Sequence, residues 1–369
     1  MKPRQIKDRT GILSSIFAIV LGLIVGLIIL ILCNPGQAFP GFVTILTGAF
    51  THGAKGVGQV FYYATPIILT GLSVGFAFKT GLFNIGTPGQ FILGGFGAVY
   101  VGILWTSLGP AHWIVALLAS VILGAVWGLV PGLLKAYFNV NEVISSIMMN
   151  YIGMYLVNWT VKSYKPLFNN LRNESRNVAA TANIPKMGLD KIFPGSSVNG
   201  GILIAILIVI LIWFLLNKTT FGYELKAVGF NRDASKYAGI NEKKSIILSM
   251  VIAGAIAGLA GGLLYLAGTG KHIEIKDVLP SEGFTGISVA LLGLSNPIGV
   301  LFSGIFIAYL TAGGFYLQLF EFSTEIIDII VAVIIYFSAF ALMVKILLAK
   351  IKKEKSSKAE AEKEGGKKA

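Results

Sequence analysis

Apolar runs of 17 residues or more recur along almost the whole of this 369-residue chain. No other feature limits the fold so strongly. In lipid, every backbone N–H and C=O must be satisfied inside a helix or a closed barrel, and about 20 apolar residues is the length a spanning helix needs. Only 13% of the residues are charged and 55% are hydrophobic, with a mean hydropathy of +0.77. A soluble domain carries about a quarter charged residues. The expected fold is therefore all-α, a polytopic transmembrane helical bundle that passes many times through the cell membrane.

Spans are predicted near 11–33, 60–79, 88–106, 112–134, 141–161, 201–217, 245–267, 283–294, 298–316 and 325–348. A basic patch (Lys2, Arg4, Lys7, Arg9) precedes the first span, and no small-x-small site follows it, so that span is expected to stay uncleaved. With the N-terminus cytoplasmic, ten crossings return the C-terminus to the cytoplasm. Of the 30 Lys and Arg residues, 21 then fall inside, the bias that orients such proteins. Against it stands the outer loop 162–200, which holds six basic residues. Gly283–Leu294 is too short to cross a core about 30 Å thick; eight spans plus a re-entrant pair is the alternative. Residues 1–349 are expected to form the membrane domain, with a polar cytoplasmic loop at 217–244. Residues 350–369, rich in Lys, Glu, Ala and Gly, are expected to form a disordered or loosely helical cytoplasmic tail.

The net charge of +13 does not point to nucleic acid. The basic residues sit at segment ends and in the tail, where they meet anionic lipid. Membrane lipid is the expected partner on this ground. Cys33 is the only cysteine, so no intrachain disulfide forms. His52, His112 and His272 lie far apart without metal-ligand spacing. Gly268-Thr269-Gly270-Lys271 lacks both the upstream glycine and the following Ser or Thr of a phosphate loop. No catalytic residue, metal or cofactor is expected, and any ATP must be hydrolysed by another polypeptide.

Polar groups beside or inside apolar spans are expensive in lipid and mark bundle interiors or pathways. The candidates are Asn84 and Gln90 around the break Asn84-Ile85-Gly86-Thr87-Pro88-Gly89-Gln90; Asn141, Glu142 and Asn150; Thr285 and Ser288; and Glu325 with Asp328, which share a helix face. Amides offer donors and acceptors suited to neutral bases and sugars, but a helix-to-helix hydrogen bond serves each of them equally well. Interrupted segments, one in each half of the chain, point to a central site. Gly124, Gly128 and Gly132 form one ridge, and Gly254, Gly258 and Gly262 another; such ridges let helices approach closely. In the 217–244 loop, Asn231 is a natural N-cap for a short helix Arg232–Ala238 that stops at Gly239. Gly229 and Gly239 are expected to set turns. Ala234 and Ala238 would present a small apolar face, ringed by Arg232, Asp233 and Lys236.

The run 66–90, ending in Asn84-Ile85-Gly86-Thr87-Pro88-Gly89-Gln90, resembles the permeases of bacterial simple-sugar and nucleoside ABC importers. Asn141-Glu142-Val143-Ile144-Ser145-Ser146-Ile147-Met148-Met149-Asn150 is similar to a second marker of that family. The stretch Gly222–Ile240, with Ala227-Val228-Gly229-Phe230-Asn231, is similar to its ATPase-coupling loop, and Gly283–Gly293 followed by Asn296-Pro297 to a fourth marker. The four stand in order over residues 60–315. Pro88 departs from the glutamate common in the family. The resemblance implies a cytoplasmic ATP-binding subunit on the coupling loop, a second permease subunit (a related chain or a second copy), and an extracytoplasmic solute-binding lipoprotein. It implies nucleoside uptake, with a ribose- or galactose-type sugar as runner-up and branched-chain amino acids third. A secondary transporter without ATPases would need mid-membrane carboxylates, which only Asp328 approaches. A membrane enzyme would need charged clusters that this chain lacks.

Overall fold

The structure, a computed structural model, describes residues 9–339. The residues before Arg9, the last part of the 325–348 stretch and the tail 350–369 lie outside them. In chain order the helices are α1 (Arg9–Cys33), α2 (Ala38–Thr51), α3 (Gly53–Lys79), α4 (Thr87–Leu104), α5 (His112–Phe138), α6 (Glu142–Ser163), α7 (Leu189–Ile192), α8 (Gly201–Lys218), α9 (Thr220–Phe230), α10 (Arg232–Tyr237), α11 (Glu242–Tyr265), α12 (Ser281–Leu292), α13 (Pro297–Gly314) and α14 (Thr324–Ala339). A two-residue antiparallel ladder, Phe168–Asn169 on Glu174–Ser175, lies after α6. The fold is nearly all-α. Each of the ten stretches read as spans is largely helical where it is described, and among the described residues six helices are long and apolar enough to cross a membrane.

The chain divides into two units. One comprises residues 1–42 and 318–369. Within it α1 packs on α14, and Gly26 makes the room, since a Cβ there would lie 2.9 Å from Ile330 Cγ2. Glu325 and Asp328 are exposed on α14.

The other unit, residues 43–317, is organised around a seam of glycines. The two ridges predicted from spacing face each other: a Cβ on Gly124 would lie 2.7 Å from Gly258 Cα, and one on Gly254 would lie 3.1 Å from Gly128 Cα. α4 joins from a third side, where Gly94 meets the Gly258 backbone and Gly261 meets Phe91 O. Without side chains at these positions the three backbones touch, and dispersion between them replaces the hydrophobic drive that lipid does not supply.

Two elements differ from expectation. α2 lies between two expected spans, yet its fourteen residues fold as a helix; it packs on α13 through the Tyr309 hydroxyl, which donates to Leu46 O, and through Gly313 against Ile45. The 217–244 loop likewise contains the eleven-residue α9 ahead of the capped α10.

α12 and α13 form a tight helical hairpin. Leu294 and Ser295 adopt left-handed backbone angles (φ 54° and 53°), Asn296 caps α13 by accepting from Ile298 N at 3.0 Å, and Gly293 meets Gly299. The break at Leu294–Pro297 is thus a turn, and α12 is a helix of only twelve residues.

Candidate functional site

After α3 ends, Gly81 (φ 77°) turns the chain back along the helix it has just left. Leu82 N donates to Ala77 O at 2.9 Å, and Asn84 is drawn fully into the interior. The Asn84 and Gln90 side chains form a reciprocal amide pair: Asn84 Nδ2 donates to Gln90 Oε1 at 2.8 Å and Gln90 Nε2 donates to Asn84 Oδ1 at 3.1 Å. Asn84 Nδ2 also reaches Ser73 Oγ at 3.3 Å, which donates onward to Ala253 O at 2.7 Å. Gly86 N donates to Asn84 Oδ1 at 3.2 Å. From α6, Asn150 accepts from Gly89 N and donates to Ile85 O, both at 2.9 Å. The structure therefore brings Asn84, Gln90 and Asn150 together. It commits most of their hydrogen-bonding capacity to the protein, so these amides fix the shape of the break. Ser146 Oγ, beside Gly86, is buried without a hydrogen-bond partner among the described residues.

The break lies deep in this unit. Asn150 is eight residues beyond the start of α6, about 12 Å along it. α4 begins here with Pro88 in its first turn, where a missing N–H costs little. α12 begins against it, because Gly283 leaves room for Pro88 Cα at 2.5 Å from where a Cβ would stand. Two helix starts thus meet here, the first turn of α12 partly exposed at Ser281, each with N–H groups that have no partner within the helix and a partial positive charge. Thr285 is half-buried and donates back to Ser281 O at 3.0 Å; Ser288 is buried. A cavity of about 310 Å³ opens beside the junction, with Ile92, Tyr265 and Glu282 in its wall. Sequence reasoning missed Glu282 because it started the span at Gly283, one residue later.

Asn141 and Glu142 are not at this junction. Asn141 caps α6 by accepting from Val143 N at 2.8 Å, and Glu142 pairs with Lys135 Nζ at 2.9 Å across the α5–α6 connection. That connection also touches α10: Arg232 binds Glu242 with Nε at 2.5 Å and Nη2 at 3.4 Å, while Nη1 reaches Asn139 Oδ1 at 3.4 Å. Arg232 thus ties α10 to α11 and to the α5–α6 connection while its side chain stays partly exposed.

The short helix itself is as its sequence suggests. Asn231 Oδ1 accepts from Ala234 N at 2.9 Å, and Gly239 (φ 82°) follows the C-terminus. Ala234 and Ala238 are exposed, beside Phe230 (90% exposed) and Tyr237 (94%). Ala227 O accepts from Asn231 N at 3.0 Å, joining α9 to α10. Gly229 sets no turn: it lies within α9 and lets that helix rest on the backbone of Thr80 and Gly81, 2.6–2.7 Å from where a Cβ would stand. Gly222 does the same against Leu216 Cα, at 2.7 Å. α9–α10 is therefore fixed at its base and open at its tip.

Residues 56–339 match the family described as branched-chain amino acid transport system / permease component. The guanosine ABC transporter permease protein NupP of Bacillus subtilis is 37% identical over 351 residues, covering 95% of this chain and 99% of that one. The nucleoside ABC transporter permease protein NupB of Lactococcus lactis is 34% identical, covering 97% and 98%. The glucose ABC transporter permease protein TsgB13 of Haloferax volcanii is 31% identical, covering 80% and 78%. No solved structure is a significant match.

Proposed function

The chain belongs to the branched-chain amino acid transport system permease family, and on that premise we propose that it is the membrane-spanning subunit of an ABC importer that takes up nucleosides. The observation that carries the cargo assignment is similarity over nearly the full length to the two nucleoside-named permeases, NupP and NupB. The chain is a multi-pass membrane protein and a transport component. ATP hydrolysis belongs to separate partner chains.

Other features support a finer reading. The exposed tip of α9–α10 is the surface for a cytoplasmic ATPase: Ala234, Ala238, Phe230 and Tyr237 form an apolar face on a capped helix whose base is locked to α3 and α11. On this reading α10 and both termini lie in the cytoplasm and the loop 162–200 lies outside, in the sense of the basic-residue bias. A second permease chain and an extracytoplasmic solute-binding protein complete the importer. The α4–α12 junction, held by Asn84, Gln90 and Asn150, is the waist of the solute path, and Thr285 and Ser288 flank it.

The test is uptake of labelled guanosine, adenosine and uridine into vesicles holding the chain with its ATPase, second permease and binding protein. Uptake should require ATP, and excess ribose or galactose should compete poorly. Stronger competition by free sugars would move the cargo to the sugar branch that TsgB13 represents. Uptake driven by a proton or sodium gradient alone would make the chain a secondary transporter.

A further inference from the structure

The cavity beside the α4–α12 junction has a composition that the packing of the bundle does not require. Its volume, about 310 Å³, stands at the lower end of small-molecule sites, which span roughly 300–1,000 Å³. One wall is aromatic and apolar: Tyr265 at the end of α11, with Leu264, and Ile92 of α4. Tyr265 is held by Gly95, which leaves space for its ring edge, and by Phe91 at 6.4 Å between ring centres. The same lining also carries the charged Lys271, Lys276, Glu274 and Glu282. Lys276 donates to Glu274 at 2.8 Å, which holds that carboxyl below its ordinary pKa, so the two charges satisfy each other. Glu282 is different. Its carboxylate lines the same cavity as Tyr265 and has no hydrogen bond or ion pair among the described residues.

A carboxylate on a cavity wall without a partner is costly, and such groups in membrane segments face a pathway or a ligand. An ionised carboxylate is acceptor-only, so it calls for N–H or O–H donors, and two adjacent donors can meet its two oxygens. An aromatic ring in the same lining calls for a planar, stackable partner. We propose that this cavity is a nucleobase site, in which the solute's base lies along Tyr265 and its N–H edge is received by Glu282. A guanine base, with a ring N–H next to an exocyclic amine, presents the paired donors this carboxylate fits. The assignment rests on the nucleoside-importer reading and sharpens it to the base edge that is read.

The experiment is ATP-driven uptake by the complete importer, with guanosine and 1-methylguanosine in competition; the methyl group removes the ring N–H. The wild type should prefer guanosine about tenfold, the effect of roughly one good hydrogen bond to a charged group. Glu282→Gln should raise the half-saturating guanosine concentration about tenfold and abolish most of the preference, while co-purification with the ATPase is unchanged. If Glu282→Gln does not assemble, Glu282→Asp decides, since it keeps the charge and shortens its reach. A reduced preference then supports the site, and an unchanged one overturns it. Wild-type uptake of nucleosides with no preference between the two compounds, or a Glu282→Gln importer that retains the preference, overturns the base site and leaves the nucleoside reading standing. Wild-type vesicles that take up no nucleoside overturn that reading itself.

Discussion

Asn84 combines full burial with four side-chain hydrogen bonds, to Gln90 twice, to Ser73 and from Gly86 N. Removing it leaves the Gln90 amide and the Gly86 N–H without partners where water cannot replace them. Each orphaned group costs about 1–3 kcal/mol. Asn84→Ala should therefore lower the thermal midpoint of the purified protein by several degrees as well as slow transport. Lost transport with an unchanged midpoint would assign Asn84 to the solute instead. That Asn84, Gln90 and Asn150 face the bundle interior was legible in the sequence, because a polar amide in or beside an apolar run is costly in lipid. Their partners were not legible: Gly89 and Asn150 are 61 residues apart, and spacing says nothing at that range. Arg232 shows the converse. It looks like a surface charge until Glu242, ten residues on, claims its guanidinium. That pair is partly exposed (34% and 16%), so it adds only about 0–1 kcal/mol to stability. Arg232→Ala should leave the melting temperature nearly unchanged while uptake per ATP hydrolysed falls, since α10 loses its tie to α11 and to Asn139. Unchanged coupling would reduce the pair to a surface contact.

Among the elements, the glycine ridges were readable because a four-residue spacing marks one face of a helix; that two ridges would face each other was not, since spacing within a helix carries no information about its neighbour. Gly258 leaves no room for a side chain against α5, where a Cβ would lie 2.4 Å from Ser120 O and 2.8 Å from Gly124 Cα, so Gly258→Val must push α5 away from α11. Overpacking of this kind costs about 1–3 kcal/mol, and the variant should purify in low yield with a lower melting temperature. A normal yield and midpoint would mean that the seam is looser than its geometry. α9 and α2 escaped the sequence reading for a shared reason. α9 is interrupted by Glu224 and Lys226, and α2 has only fourteen residues including Pro40, so neither contains the long apolar run that identifies a span. On the α9–α10 tip, Ala234→Glu places a charge on the exposed apolar face. It should abolish ATP-coupled uptake with folding intact, as read by ATPase pull-down and melting temperature; normal uptake would move the contact elsewhere.

For the whole molecule, the helical class and the approximate positions of ten helices followed from hydropathy, whereas the depth of each helix did not, because α12 is short and α4 begins inside the bundle. The side of the membrane on which each end lies can be read directly. Leu171 is 96% exposed and Tyr237 94%, and Cys33 is the only native cysteine. In a Cys33→Ser background, Leu171→Cys should react with an impermeant thiol reagent in intact cells. Tyr237→Cys should react only after the membrane is opened. The reverse pattern would invert the proposed orientation.

The glycine seam also decides where such a transporter can be re-engineered. Three helices in backbone contact can neither slide nor part by degrees, so a designer seeking a new cargo gains nothing by altering α4, α5 or α11 along their shared line. Freedom lies instead in the 266–280 connection, which walls the cavity and is joined to α3 by a hydroxyl contact, Tyr62 Oη to Thr269 Oγ1 at 3.0 Å. A library confined to that connection and to Glu282 should yield importers with altered taste for their solutes. One directed at the seam should yield mostly protein that never reaches the membrane.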